Sequence, residues 1–339
     1  MPTLTARTNL IHPQNAMKDS FGRNISYLRL SITDRCNLRC RYCMPATGIE
    51  TQCHDDILSY DEMLRIVAAA TTLGIRKVRI TGGEPLVRKG VIGFLEQLAA
   101  LEGIEEIALT TNGILLADCA EQLSAAGVKR LNISLDSLNP DTFNEITRGG
   151  DLQRVLSGIT KAEQVGMKIK LNMVAMHGVN DHELLDFAAL SINNPWSVRF
   201  IEYMPTIREE QWQQRIISGA DIIALLNSHF QIEPLITDHF CGPARPYRIT
   251  GAAGTIGIIT PMSEHFCGSC NRIRVTSMGQ AKSCLLTNEA VDLRPLLGIR
   301  QQSELIDTLK KVICGKPEHH RLGTDPDSTT PFSMASIGG

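Results

Sequence analysis

The sequence predicts an α/β fold of parallel strands joined by crossover helices, and three observations predict it. Between residues 26 and 202, six strand-like runs are each followed by a helical pattern or a turn, giving about six βα units. The chain of 339 residues is long enough for one large α/β domain or two modest ones. Its 43% hydrophobic and 21% charged residues are those of an ordinary globular protein. Such alternation fits an open doubly wound sheet as well as a full or partial barrel.

The elements follow in order. Residues 1–24 are polar and aperiodic and read as a flexible extension. A strand over 26–32 delivers a cysteine-rich loop. Ser59, with Glu62 three residues on, is a capping box for a helix through Ala70 that stops near Gly74. Strands are expected at 77–81, 105–110, 131–135, 168–174 and 197–202, with helices at 115–126, 151–165 and 181–192. This first unit is bounded at 25–215. A mixed region, 216–315, has a helix at 219–230 and strand-like pieces near 246–260. Gly251-Ala-Ala-Gly-Thr-Ile-Gly257 departs from the dinucleotide-binding glycine spacing and reads as a hairpin turn. From 316 to 339, Pro, Gly, Ser, Thr and Asp dominate, which reads as a flexible tail in which His319 and His320 are solvated.

A net charge of -2 gives no general pull toward nucleic acid or anionic membrane, so an anionic substrate must be met by local Arg and Lys placement. No apolar run reaches the roughly 18 residues of a membrane span. The first residues lack the apolar core of a signal peptide, so the cytoplasm is the expected compartment. In that reducing setting ten cysteines point to metal ligation rather than disulfides.

Six of the ten cysteines form two groups. Cys36, Cys40 and Cys43 lie in one short loop at the end of the first strand. Three thiolates hold three irons of a cubane and leave the fourth open, whereas an electron-transfer cluster normally takes four cysteines. The plain alternative is a zinc site completed by Cys53 or His54. Structural zinc usually shows cysteines paired two residues apart, and this loop sits where βα folds place their chemistry, which favours a cluster. Thr81-Gly-Gly-Glu-Pro85 closes the second strand; its glycines admit close backbone approach, and Glu84 offers a carboxylate to an ammonium group. By itself that turn is equally a strand-to-helix connection.

Together, the cysteine loop and the Gly82-Gly83-Glu84 turn resemble the radical S-adenosylmethionine (SAM) superfamily. The resemblance implies a full or partial (β/α) barrel. It also implies a [4Fe-4S] cluster whose open iron chelates SAM and whose reduction yields a 5′-deoxyadenosyl radical.

The second group is Cys267, Cys270 and Cys284, again three cysteines without a fourth. A zinc knuckle is the plain reading. Arg272 and Arg274 follow at once, two apart and so on one face of a strand, where they suit phosphate oxygens. With Tyr27-Leu-Arg-Leu-Ser-Ile-Thr-Asp34, Phe200-Ile-Glu-Tyr-Met-Pro205, Val291-Asp-Leu-Arg-Pro-Leu-Leu297 and the terminal Gly338-Gly339, the chain from about residue 22 onward resembles the GTP 3′,8-cyclase family of molybdenum cofactor biosynthesis.

That resemblance implies conversion of GTP to (8S)-3′,8-cyclo-7,8-dihydroguanosine 5′-triphosphate, with SAM and two [4Fe-4S] clusters as cofactors. It places SAM at Tyr42, Gly83, Glu84, Ser134 and Met204. It places GTP at Arg29, Arg79, Thr110, Lys170, Arg272, Ile273 and Arg274, with guanine at the second cluster. Thr111 adjoins Thr110, and a slip of one residue would exchange them. Read without the resemblance, Ser134 and Met204 are strand-end and core residues, and Arg29, Arg79 and Lys170 are solvated or paired strand cations. Buried together on parallel strands, such cations would need an anion. Arg272, Arg274, Gly338 and Gly339 would support catalysis, although a terminal diglycine is ordinarily the end of a loose tail. A homodimer, an electron donor and a following cyclic pyranopterin monophosphate synthase are further implications, with neither nucleic acid nor membrane as a partner. Cys53, Cys119, Cys241 and Cys314 are isolated and read as unligated.

Two rivals remain. A peptide-modifying radical SAM enzyme with auxiliary clusters would need neither the Arg272/Arg274 pair nor the diglycine. A zinc-binding module would need neither an open iron nor the Gly82-Gly83 turn.

Overall fold

The computed structural model describes residues 16–49, 56–206, 211–235, 242–264, 266–287, 289–298, 300–320 and 334–338. At its start β1 (Met17–Lys18) and β2 (Asn24–Ile25) pair antiparallel around Asp19, which accepts bonds from the Phe21 and Arg23 amides. From residue 17 on, this hairpin takes the place of the expected flexible extension, because Asp19 and Arg23 are buried against each other rather than solvated. Residues 1–15 lie outside the described residues.

Six strands then lie side by side in chain order, all parallel: β3 (Tyr27–Ser31), β4 (Lys77–Thr81), β5 (Glu106–Thr111), β6 (Val128–Ser134), β7 (Lys168–Ala175) and β8 (Ser197–Glu202). The helices between them are α1 (Tyr60–Thr72), α2 (Val91–Ala99), α3 (Leu116–Ala125), α4 (Pro140–Thr147), α5 (Leu152–Gln164) and α6 (Leu184–Asn193). Local chemistry sets several of their starts. Ser59 and Glu62 form the expected reciprocal capping box on α1, Asn139 caps α4 ahead of Pro140, and Asp151 caps α5. β6 begins three residues before the expected 131, since Lys129 and Arg130 mask a strand whose alternation starts at Val128. The sequence reading did not assign α2 or α4.

The rest of the chain comprises α7 (Gly219–His229), β9 (Ile232–Pro234), β10 (Arg245–Ile249), β11 (Thr255–Ile259), β12 (Arg272–Val275), β13 (Gln280–Lys282), β14 (Val291–Asp292), α8 (Gln302–Cys314) and the short α9 (Met334–Ile337). β10 and β11 form an antiparallel hairpin through Gly251, at φ +81°, as the glycine-rich stretch between them predicts. β11 joins β8 in parallel, and β12 joins β3 in parallel. Residues 216–315 therefore build no sheet of their own; they extend both edges of the first one. Its twelve strands run β14-β13-β12-β3-β4-β5-β6-β7-β8-β11-β10-β9.

Alternation divides each strand between two faces. Leu28, Leu30, Val78, Ile80, Leu109, Leu131, Ile133, Leu171 and Phe200 turn outward into the core under the helices. The opposite face lines a cavity of about 940 Å³ that takes residues from all eight parallel strands. Strands that share one hollow must curve around it, and the outermost strands, β9 and β14, do not pair with each other. The result is the expected α/β fold in the form of a partial barrel.

Leu131 sits at 0% exposure on a central strand. Leu131→Ala is expected to lower the unfolding free energy by about 2–5 kcal/mol, read as a shifted urea midpoint; an unshifted midpoint would show that this face is not the core.

Candidate active site

The first cysteine loop leaves β3 and is held by the turn that ends β4. Gly83 N–H donates to the Thr33 carbonyl at 2.9 Å, and Glu84 N–H donates to the Arg35 carbonyl at 2.8 Å. A Cβ on Gly82 would stand 2.4 Å from the Thr33 carbonyl oxygen, and one on Gly83 would stand 2.4 Å from that of Arg35. The glycines are thus required by contact between two backbones, which presses the cysteine loop onto the neighbouring strand end.

Cys36, Cys40 and Cys43 are free thiols on this loop and line the cavity. Leu38 N–H and the Asn112 amide face the Cys36 sulfur at 3.4 and 3.8 Å. Burial, then Cys36 and Asp136 nearby, push the Cys43 thiol up to about 12. Burial likewise raises Cys40 well above the ordinary thiol range, with Asp136 and the other two thiols adding to it. Thiols grouped this way keep their protons until a cationic centre draws them off, which is how iron or zinc ligands behave. Among the described residues no three His, Cys, Asp or Glu side chains converge on a single-ion site. Three thiols in electrostatic reach of one another suit the separated corners of a larger cluster.

Glu84 departs from its expected role. It is fully buried, and its carboxylate accepts from Leu86 N–H, from the Thr111 hydroxyl at 2.9 Å and from Asn112 N–H at 2.6 Å. Burial outweighs those bonds and raises its pKa to about 7. The side chain clamps the loops after β4 and β5 together instead of reaching a ligand, because its oxygens meet backbone before they meet the cavity. The same contact separates the two threonines. Thr111 is taken by Glu84, whereas the Thr110 hydroxyl lines the cavity, buried and with no hydrogen-bond partner among the described residues.

Tyr42, Gly83, Ser134 and Met204 all line the cavity. The Tyr42 hydroxyl donates to Asp136 at 2.8 Å, and Asp136 also accepts from Val174 N–H. Burial lifts that carboxylate to about 6. Asp136 gave no motif in the sequence, since a lone Asp after a strand resembles any turn residue.

Deeper in the hollow the strands present cations in register. Arg274, Arg29 and Arg79 are direct neighbours across β12, β3 and β4, and Arg272, Tyr27 and Lys77 form the adjoining row. Lys170 lies on β7 in the same wall. Three cations of this wall escaped the sequence reading: Lys77, Arg130 and Arg199. Each falls on the inward parity of its strand, with Arg79, Ser134 and Ile201 respectively, and that parity is the signal that finds them. Glu106 offsets part of the charge by pairing with Lys77 at 2.8 Å and Arg130 at 2.9 Å. Burial, with Arg199 and Arg130 next to it, drives Lys170 down to about 6. Arg29 and Arg274 are 9% and 6% exposed. The Ile273 side chain points the other way: it is 1% exposed within the outward core, so only its backbone is left for the expected GTP contact.

Cys267, Cys270 and Cys284 line the far side of the same cavity. Burial by itself would raise the Cys270 thiol, but Arg272 and Lys316 beside it bring it down to about 6, whereas burial raises Cys267, so within this group Cys270 favours the thiolate. The Arg272 guanidinium stands 3.8 Å from the Cys270 sulfur and over the Phe266 ring. Residues 316–320 pack here as well. Lys316 Nζ donates to the Ser283 carbonyl, and His320 is 9% exposed rather than solvated, since it abuts Cys267. His319 is exposed, as expected.

The chain end returns to the cavity. The Gly338 carbonyl accepts from Arg274 Nη1 at 2.9 Å; Gly338 has φ +81°, and a Cβ there would lie 2.3 Å from Thr81 Cγ2. Where a flexible tail is expected over 316–339, Lys316, His320, Ile337 and Gly338 are instead buried. Gly339, Cys53, His54 and Cys241 lie outside the described residues. Cys119 sits on α3 and Cys314 on α8, each apart from both groups.

Comparison with known proteins fits this geometry. The radical SAM superfamily profile matches residues 30–190, and the profile named Molybdenum Cofactor Synthesis C matches residues 196–322. A GTP 3′,8-cyclase of Geobacter sulfurreducens is 55% identical over 322 residues, covering 95% of this chain and 99% of that protein. GTP 3′,8-cyclases of Alkaliphilus metalliredigens and Listeria monocytogenes are 50% and 44% identical, each over 95% of this chain and 100% and 99% of their own length. Among solved structures, Streptococcus suis SuiB bound to S-adenosylmethionine matches at TM-score 0.58 and 18% identity, over 84% of this chain and 68% of that one. Native anSMEcpe with bound AdoMet matches at TM-score 0.54 and 14% identity, over 85% and 83%. At those identities the two structures speak for the fold alone, whereas the cyclase relatives speak for the family. The chain belongs to the GTP 3′,8-cyclase family of radical SAM enzymes.

Proposed function

We propose that the chain converts GTP to (8S)-3′,8-cyclo-7,8-dihydroguanosine 5′-triphosphate, the first step of molybdopterin biosynthesis. SAM and one [4Fe-4S] cluster come with the radical SAM family. A second [4Fe-4S] cluster at Cys267, Cys270 and Cys284 is our reading of three cysteines that share the cavity wall beside Arg272. The observation that carries the proposal is the shared cavity: both cysteine groups face one hollow, with a wall of arginines and lysines between them.

When bound, the first cluster and SAM would supply the radical chemistry that takes the ribose 3′ hydrogen and lets C3′ join C8 of guanine, with an external donor furnishing the electrons and solvent the proton that completes the 7,8-dihydro product. The residues divide the remaining work. Tyr42, Gly83, Ser134 and Met204 border the first group and hold SAM, with Tyr42 fixed by Asp136. Arg29, Arg79, Thr110, Lys170 and Arg274, joined by Lys77, Arg130 and Arg199, receive the triphosphate. Arg272 lies against Cys270 and orients the guanine end beside the second group. Gly338 engages Arg274 and so sets where that guanidinium points. A triphosphate gathers several negative charges on one small group to match this cationic wall, which a neutral peptide segment does not. Among the described residues no helix is long and apolar enough to cross a membrane. A cytoplasmic homodimer, reduced by an external electron donor and followed by cyclic pyranopterin monophosphate synthase, completes the reading.

Anaerobic reconstitution tests it directly. Wild type is expected to cleave SAM in a GTP-dependent way and yield the cyclised triphosphate. Cys36→Ala should abolish SAM cleavage, whereas Cys284→Ala should keep some uncoupled cleavage and lose product; full cyclisation by Cys284→Ala would remove the second group from the mechanism.

Gly338→Ala places a methyl against Thr81 at a positive φ. Turnover is expected to fall at least tenfold, on the order of the ~1.4 kcal/mol that a strained backbone and a lost contact amount to, with iron content unchanged. Equal turnover would show that the chain end has no part in the reaction.

Lys170 supplies a pH test. Its folded value of about 6 lies below the ordinary 10.5, so between those pH values the unfolded chain carries a proton that the folded chain lacks. Without nucleotide this lysine opposes folding, and the opposition fades as pH rises toward 10.5. A bound triphosphate restores the charged form, so GTP binding near neutral pH should take up a proton. Calorimetry in buffers of different ionisation enthalpy should show that uptake in wild type and lose it in Lys170→Met; equal uptake in both would place the triphosphate elsewhere.

A further inference from the structure

We propose that Arg23, aimed by Asp19, is a positioning residue for the second cysteine group, fastening Cys267 and residues 316–320 to the N-terminal hairpin. The proposal rests on the reading of that group as the substrate-side cluster site, and it concerns this chain's own residues.

Arg23 is buried at the end of the β1–β2 hairpin. Its Nε donates to Asp19 Oδ2, and Asp19 Oδ1 is held by the Phe21 and Arg23 amides, so the turn fixes the direction of the guanidinium. The outer nitrogens then leave the hairpin altogether. Nη1 donates to the Cys267 carbonyl at 2.9 Å and to the Glu318 carbonyl at 3.2 Å, and Nη2 donates to the Pro317 carbonyl at 2.8 Å. One planar group thereby joins three segments that are distant in sequence. Only a guanidinium presents donors in a rigid fork of this kind; an ammonium offers one point of attachment.

The segment it fastens touches both ends of the cysteine group. Lys316 donates to the Ser283 carbonyl beside Cys284. The His320 backbone meets Cys267. If residues 316–320 moved away, Ser283 would lose its bond from Lys316, the Cys267 sulfur would lose its His320 backbone contact, and Arg23 would lose two of its three carbonyl acceptors. Among the described residues, neither cysteine group is otherwise joined to this hairpin by an arginine hydrogen bond. The first group is held by the Gly82-Gly83 turn and by Arg148, whose Nη1 donates to the Arg39 and Met44 carbonyls, so the two sites are held by separate devices.

The test uses the full-length chain, with thiol alkylation followed by mass spectrometry before iron is supplied and iron counted after anaerobic reconstitution. In Arg23→Gln, alkylation of Cys267 and Cys284 should quicken about tenfold while Cys36, Cys40 and Cys43 keep wild-type rates. That factor corresponds to ~1.4 kcal/mol of local opening. Iron should fall from about eight per chain toward about four, the content of a single cubane. Arg23→Lys should fall between wild type and Arg23→Gln, and Asp19→Asn should loosen Cys267 to a smaller extent. Unchanged alkylation of Cys267 in Arg23→Gln, or equal acceleration at all six cysteines, overturns the proposal, the latter by showing general loss of stability. A wild type that holds only about four irons would sink the second-cluster reading, while the alkylation rates still decide the role of Arg23.

Discussion

Arg274, Arg29 and Arg79 stand shoulder to shoulder on three adjacent parallel strands, and that crowding of like charge is the constraint around which the interior is arranged. Cations in a hollow of low polarisability repel one another and lose hydration together. Burial and mutual repulsion accordingly depress Arg29, Arg79 and Arg274 from the usual arginine range and take Lys170 far below a normal lysine. Glu106 meets only part of this charge. The interior is therefore a strongly cationic hollow, a lining whose chemistry suits a polyanion.

Curvature turns that chemistry into a site. Parallel strands in chain order send every second residue to one side, and the partial barrel makes those residues face a shared volume rather than a plane. β12 is decisive here. By pairing with β3 it carries Arg272 and Arg274 from the C-terminal part of the sequence to the strand that leads into the first cysteine loop. Both cysteine groups are thus brought to one cavity by the hydrogen-bonded order of strands.

Close contacts set the edges of this site. The Gly82-Gly83 turn lets backbone meet backbone beneath the first cysteine loop, and Glu84 is spent on holding the neighbouring loop rather than on a ligand. At the other edge, Gly338 fits between Thr81 and Arg274 where any side chain would collide. In each case a small residue marks a place where two segments must touch.

Much of this was legible in the sequence. The six βα units, the capping box at Ser59 and Glu62, the two cysteine groups and the arginine pair all depend on local periodicity or short spacing, which the order of residues states directly. The tertiary structure decided the rest. Only strand register shows that Lys77, Arg130 and Arg199 join the cationic wall and that Ile273 turns away from it. Only packing shows that Glu84 serves its neighbours, that Thr111 is taken while Thr110 remains available, and that His320 and Arg23 are buried beside Cys267. These are outcomes of pairing between segments far apart in the chain, where the partner that claims a side chain is fixed by the curvature of the sheet and not by adjacent residues. The sequence by itself determined which chemical groups this protein carries; the fold decided which of them face one another across the cavity.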